Sequence, residues 1–175
     1  MNSTILKSVS KPGRYCGGEY GQIVKDKAGI NCRVAFCFPD TYEIGMSNLG
    51  LRILYGVLNR EPDVWCERVF APWLDMQEQM QKYALPLCAL ESGDPVGDFD
   101  IVAFTLQYEM CYTTVLNMLS LAGIPLLASA RGEDAPIIIG GGHCAYNPEP
   151  IADFFDIFSI GEGELCPSLR GCTSR

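Results

Sequence analysis

A chain of 175 residues with 48% hydrophobic and 19% charged residues can bury one two- or three-layer core, which excludes a disordered polymer. Its formal charge of −8 works against binding phosphate backbones, so nucleic acid is not an expected partner. No apolar run reaches the eighteen or so residues of a membrane span, and residues 1–10 lack the hydrophobic stretch of a secretory signal.

A thin basic group, Lys7, Lys11 and Arg14, lies among glycines and prolines. The nine cysteines, at positions 16, 32, 37, 66, 88, 111, 144, 166 and 172, include no C-x-x-C pair and no C-x-x-x-C-x-x-C triplet. A dedicated zinc or iron–sulfur site is therefore not visible. Reduced thiols in a cytoplasmic protein are the expectation.

Residues 1–31, rich in Gly and Lys, read as an extended arm. Residues 33–38 form a buried-strand run stopped by Pro39-Asp40. Leu51, Leu54, Tyr55 and Leu58 follow at helical spacing, with Ser47 or Asn48 as N-cap. A strand is expected at 64–70, then a helix marked by Trp73, Met76, Met80 and Tyr83 and ended by Pro86. A short extended piece at 87–90 precedes the turn Ser92-Gly93-Asp94-Pro95. A third strand at 101–106 leads to a helix through Val115, Met118, Leu119 and Ala122, stopped by Gly123 and Pro125. Strands at 137–139 and 156–160 end in Gly140-Gly141-Gly142 and Gly161-Glu162-Gly163-Glu164.

This alternation predicts an α/β fold, a doubly wound parallel sheet of flavodoxin or Rossmann type with strand order 2-1-3-4-5. The closing C-terminal helix is missing from the pattern, because residues 165–175 contain Pro167 and Gly171 and no helical stripe. Such a helix hides on the order of 400 Å² of apolar area, roughly 10 kcal/mol as an upper bound. Whole-domain stability is about 5–15 kcal/mol. The tail is expected to be aberrant or truncated; a naturally short domain whose arm covers the gap is the alternative.

Ligands of such sheets sit beyond the C-terminal strand ends. Four segments should meet there: residues 39–48, 105–109, 140–143 and 161–164. Glycines at these ends let a ligand approach the backbone, and free helix-start amides hold anions. Glu43 and Glu109 are expected to be solvated carboxylates, and the lone His143 to lie near this face without binding metal. Glu162 and Glu164 suit either a ribose or a helix start.

These loops carry a resemblance. Asp40, Tyr42 and Gly45 form D-x-Y-x-x-G, which resembles the cobalamin-domain signature D-x-H-x-x-G with its histidine replaced. Thr105 stands where that family has a serine bonding the nucleotide tail, and Gly140, Gly141 and Gly142 resemble its glycine pair near the tail. The close of the chain, from the triple glycine through NPEP, ADFFD and IGEGE, is similar to cobalamin-type domains that precede a radical S-adenosylmethionine (SAM) core. The strings KPGRY, FCFPDTYEIGMSNLGLRILYGVLN, FAPWLDM, ALESGDP and FTLQYEM are similar to one uncharacterised radical SAM group; the resemblance runs over about residues 11–164.

The resemblance implies an N-terminal cobalamin-binding-like domain at 32–164, with 1–31 as arm and 165–175 as tail. Implied cofactor residues are Asp40, Tyr42, Gly45, Thr105, Gly140, Gly141, Gly142, Gly161 and Glu162. The implied partner is a radical SAM domain of the parent chain; S-adenosylmethionine and a four-iron cluster belong to that domain, leaving this chain catalytically silent alone. Two departures count against a standard cobalamin site. Tyr42 is a neutral phenol at pH 7 and a poor cobalt ligand, and Gln107 replaces the usual leucine. Two other readings stay open: a degenerate Rossmann-like docking module that binds no corrinoid, and a flavin or nucleotide binder, which lacks a complete G-x-G-x-x-G after the first strand.

Overall fold

The computed structural model describes residues 3–161 and 163. Five strands, β1 (Cys32–Phe38), β2 (Val64–Phe70), β3 (Ile101–Thr105), β4 (Ile137–Gly141) and β5 (Ile157–Ser159), form one all-parallel sheet in the order β2-β1-β3-β4-β5. This is the doubly wound order expected. The helices are α1 (Ser3–Leu6), α2 (Tyr42–Ser47), α3 (Leu49–Arg60), α4 (Leu74–Tyr83) and α5 (Tyr112–Leu121).

Local chemistry sets the boundaries. The Asn48 side chain accepts the Leu51 amide at 2.9 Å and starts α3, as an N-cap should. Beyond α5, Gly123 takes φ of +71°, which reverses the chain at little steric cost. Where the sequence suggests a loop over 39–48, residues 42–47 instead coil as α2. Gly45 makes this possible, because a Cβ there would fall on the Phe70 ring. The short helix therefore lies directly against the end of β2.

Helices α4 and α5 cover one face of the sheet, packing Met76, Met80, Val115, Met118 and Leu119 on Ala35, Cys37, Val69, Val102, Phe104 and Ile138. On the other face α3 packs Leu51 and Tyr55 over Val34, Phe36, Cys66 and Phe70. The β3–β5 half of that second face has no helix over it among the described residues. Ala103, Ile137 and Ile139 are only half-buried there, and Ile157 is 48% exposed. The predicted tail, 165–175, lies outside the described residues.

The arm is anchored rather than free. Ile5 and Val9 are buried in the larger core. The Ile23 amide donates to the Tyr55 hydroxyl at 2.8 Å, and Trp65 Nε1 donates to the Ile23 carbonyl at 3.1 Å. The outward backbone groups of the edge strand β2 are satisfied at Cys66 and Arg68 and at the Val64 carbonyl. Asn59 exchanges two hydrogen bonds with Cys66, Lys25 Nζ donates to the Val64 carbonyl, the Arg68 amide donates to Glu91, and the Leu90 amide donates to the Arg68 carbonyl. No sheet partner is needed on that side.

Candidate functional site

All the predicted turns that are described emerge at the same end of the sheet. The segment leaving β3 ties two of them together. Tyr108 Oη donates to Asp40 Oδ2 at 3.3 Å, while the Leu106 amide donates to the Gly141 carbonyl at 2.6 Å and the Leu106 carbonyl accepts from Cys144 at 3.0 Å. Burial and the Asp40 carboxylate both push the Tyr108 phenol upward, so it stays a neutral donor.

Beside this junction lies a cavity of about 460 Å³, within the range of small-ligand sites. Its walls are α3, through Leu51, Leu54, Val57 and Leu58, and the sheet face beside that helix, through Val34, Phe36, Ile101, Ala103 and Ile139. At the strand ends it is lined by Thr105, Gln107, Gly141, Gly142, His143, Ser159, Gly161 and Gly163. Among the described residues none of the arm lines it, so the arm does not cover this part of the sheet.

Four predicted site residues, Thr105, Gly141, Gly142 and Gly161, therefore share one cavity. A Cβ on Gly141 would have only Ser159 near it, at 3.8 Å, and one on Gly161 would meet nothing within 4 Å. These two glycines leave room. Gly140 behaves differently: its missing side chain faces the other side of the sheet, where a Cβ would sit 3.0 Å from both Phe155 and Phe158. It is a packing glycine. Glu162 lies outside the described residues.

Of the first segment only Asn48 lines the cavity; Asp40, Tyr42 and Gly45 do not. Asp40 Oδ1 accepts the Thr41 amide at 2.7 Å, and the Asp40 carbonyl accepts from Ala71 at 2.9 Å. Tyr42 Oη donates to Glu19 Oε1 of the arm at 3.1 Å, and the Tyr42 ring meets Phe70 edge-on at 5.4 Å. Burial, then the Glu19 contact, raises the Tyr42 phenol further above its ordinary range. The Tyr42 hydroxyl is thus already engaged by a carboxylate of the arm. Among the described residues no group of three His, Cys, Asp or Glu side chains is placed to hold a metal ion.

The sequence suggests that the arm, with Arg14 and Glu19, wraps the domain or a neighbour, but not that it grips this turn, since the spacing from Glu19 to Tyr42 has no periodic signature. Lys11 Nζ lies 3.0 Å from Glu43, and Arg14 Nε lies 3.0 Å from the same carboxylate. Arg14, then Lys11, hold the Glu43 carboxyl down at about 2, against an ordinary 4.5. The same arm's Ser10 bonds Asp75 and lowers that carboxyl too. Depressed carboxylates stabilise the docked arm above their unfolded pKa and lose that effect as pH falls through the folded value. Acidification from about pH 4.5 towards 2 is therefore expected to loosen the arm. Trp73, 48% exposed with Arg14 5.4 Å over its ring, reports this as increased acrylamide quenching. Glu43→Gln should show higher quenching already at neutral pH.

Comparison with known proteins decides the family. Residues 50–170, more than half of the chain, match the family described as radical SAM proteins, N-terminal. The chain belongs to that family. This radical SAM N-terminal domain is also 27% identical over 132 residues to an uncharacterized protein of Methanocaldococcus jannaschii, covering 75% of the present chain but 24% of that protein. The chain thus spans about a quarter of that relative's length. Among solved structures it is similar to a novel cobalamin-binding protein from Desulfitobacterium hafniense, at 9% identity and a TM-score of 0.44, over 81% of this chain and 58% of that one. No helix of the described radical SAM N-terminal domain is long and apolar enough to cross a membrane.

Proposed function

We propose that this chain is the cobalamin-binding-like module of a radical SAM protein, and that its slot between α3 and the C-terminal ends of β3–β5 seats the nucleotide tail of a corrinoid. The observation that carries the reading is the cavity itself. It is apolar along α3 and the sheet, it opens at the strand ends, and it joins Thr105, Gly141, Gly142 and Gly161. The residues present fit a flat tail group in the slot. They do not fit a protein ligand to cobalt, because Tyr42 is engaged by Glu19.

In such a module this chain's own residues bind and orient. The two open glycines admit the group, Thr105 offers a hydroxyl at its polar end, and the walls of α3 and the sheet exclude water. A bound corrinoid would supply methyl-transfer chemistry. SAM cleavage is assigned to another domain of the parent protein, because the cysteines of these 175 residues include no C-x-x-x-C-x-x-C triplet. Exposed apolar side chains crown the same end of the sheet: Leu49, Trp73, Tyr108, Met110 and Tyr146. A patch of that kind suits a docked domain. The radical SAM domain of the parent chain is the partner we assign to it.

Titration of the purified chain with hydroxocobalamin tests the reading. A saturable change in the corrinoid spectrum, with cofactor retained through gel filtration, is expected; an unchanged spectrum and no retention would overturn it. Gly141→Val places two methyls in the slot, where only Ser159 is near. It should weaken binding at least about tenfold while the thermal midpoint stays within a few degrees.

One observation favours a second reading, a docking module without corrinoid. The first turn is already covered by the arm, through Glu19, Lys11 and Arg14. Failure of hydroxocobalamin to bind, with the fold intact, selects this alternative.

A further inference from the structure

The slot has a polar end that an apolar occupant does not require. Thr105 is 7% exposed, and its Oγ1 accepts a hydrogen bond from Gln107 Nε2 at 2.5 Å. Both side chains line the cavity, and Ser159 lies one strand further on, across Gly141 in the sheet register. The pair uses one donor and one acceptor between them. A threonine and a glutamine together carry three donor hydrogens and two acceptor oxygens, so donors and an acceptor are left over. Neither side chain has another hydrogen-bond partner among the described residues. Of the other polar side chains in the lining, Asn48 is engaged in capping α3, while His143 and Ser159 stand with this pair at the strand ends. The remaining walls, such as Leu54, Leu58, Ala103 and Ile139, offer only carbon.

We propose that Thr105 and Gln107 act together as specificity residues. They make the slot select a flat nitrogen heterocycle with both donor and acceptor atoms on its edge, an adenine-type ring, over an apolar benzimidazole-type ring. The proposal rests on the slot being a heterocycle seat, as the proposed function requires. The ring has two possible sources, the tail base of a corrinoid or a free nucleoside. A benzimidazole has one acceptor nitrogen and no amino group, so it leaves the Gln107 carbonyl oxygen without a donor. An unmade hydrogen bond at such a half-buried site is expected to cost on the order of tenfold in affinity.

The test is calorimetric titration of the 175-residue chain with four probes: adenosine, an adenine-tailed cobamide, a dimethylbenzimidazole-tailed cobamide, and cobinamide, which has no tail base. The adenine-tailed cobamide should bind about tenfold or more tightly than the benzimidazole form. Gln107→Leu, shown folded by its thermal midpoint, should erase or reverse that ratio. Binding by adenosine alone would keep the proposal with a nucleoside as ligand and remove the corrinoid reading. Equal binding of all three corrinoids would retain a corrinoid module but overturn the specificity role. An unchanged ratio in Gln107→Leu overturns it as well. If none of the four binds, both fall.

Discussion

Glu67→Ala is expected to lower the unfolding free energy by about 3–5 kcal/mol, the cost of leaving a buried charge without its partner. Glu67 sits within β2 with none of its side chain exposed. Oε1 accepts from Arg33 Nη2 at 2.5 Å, and Oε2 accepts from the Ser92 amide at 2.9 Å. Arg33 is itself sandwiched against aromatic rings, 4.1 Å from Phe99 and 5.3 Å from Trp65. Its other carboxylate, Asp94 at 2.8 Å, remains in the variant but does not replace the interior contact. Urea unfolding followed by circular dichroism should show a lowered midpoint with an unchanged slope. Replacing both partners, as Arg33→Met with Glu67→Leu, should cost less than Glu67→Ala alone. A single variant within 1 kcal/mol of the parent would mean that the pair contributes little to the fold.

Gly142→Ala should be the most damaging of the glycine replacements around the cavity, at about 2–4 kcal/mol, or roughly 5–12 °C in the thermal midpoint. Gly142 has φ of +103°, a conformation that side chains resist, and a Cβ would stand 2.9 Å from the Leu106 carbonyl oxygen. Leu106 cannot easily yield, because its amide and carbonyl are both bonded, to Gly141 and Cys144. Gly161→Ala shares the positive φ, at +111°, but has open space, so only the backbone strain applies. Gly141→Ala has neither problem and should be mild. Thermal unfolding of the three variants should rank them in that order. A Gly142→Ala protein as stable as Gly141→Ala would contradict the described backbone of this turn.

Much of the architecture was legible because buried parallel strands need continuous apolar runs. Residues 34–38, 101–104 and 137–139 satisfy that need, whereas 64–70 is interrupted by Glu67 and Arg68. Helix spacing and one N-cap then place α3, while the strand order was an expectation taken from the common doubly wound pattern, not read from the residues. The site was only partly legible. A glycine in a strand end signals a close approach, but not to which face, so Gly140 and Gly141 read alike and point to opposite sides. D-x-Y-x-x-G reads as a loop because its helix is held by a tertiary contact, Gly45 on Phe70. Glu67 and Glu91 look like surface carboxylates in the sequence. Arginines far away in the chain bury both, Arg33 for Glu67 and Arg68 for Glu91. Gln107 stood out only as a departure from the resembled family; its bond to Thr105 needed coordinates.

The saturation of one margin of the sheet has a consequence for assembly. Because Asn59, Lys25, Glu91 and Leu90 already occupy the outward amides and carbonyls of β2, main-chain recruitment of a foreign strand is blocked there. Among the described residues the open margin is therefore that of β5. Two molecules that meet by that flank cap one another, which favours a finite pair over an open-ended fibril.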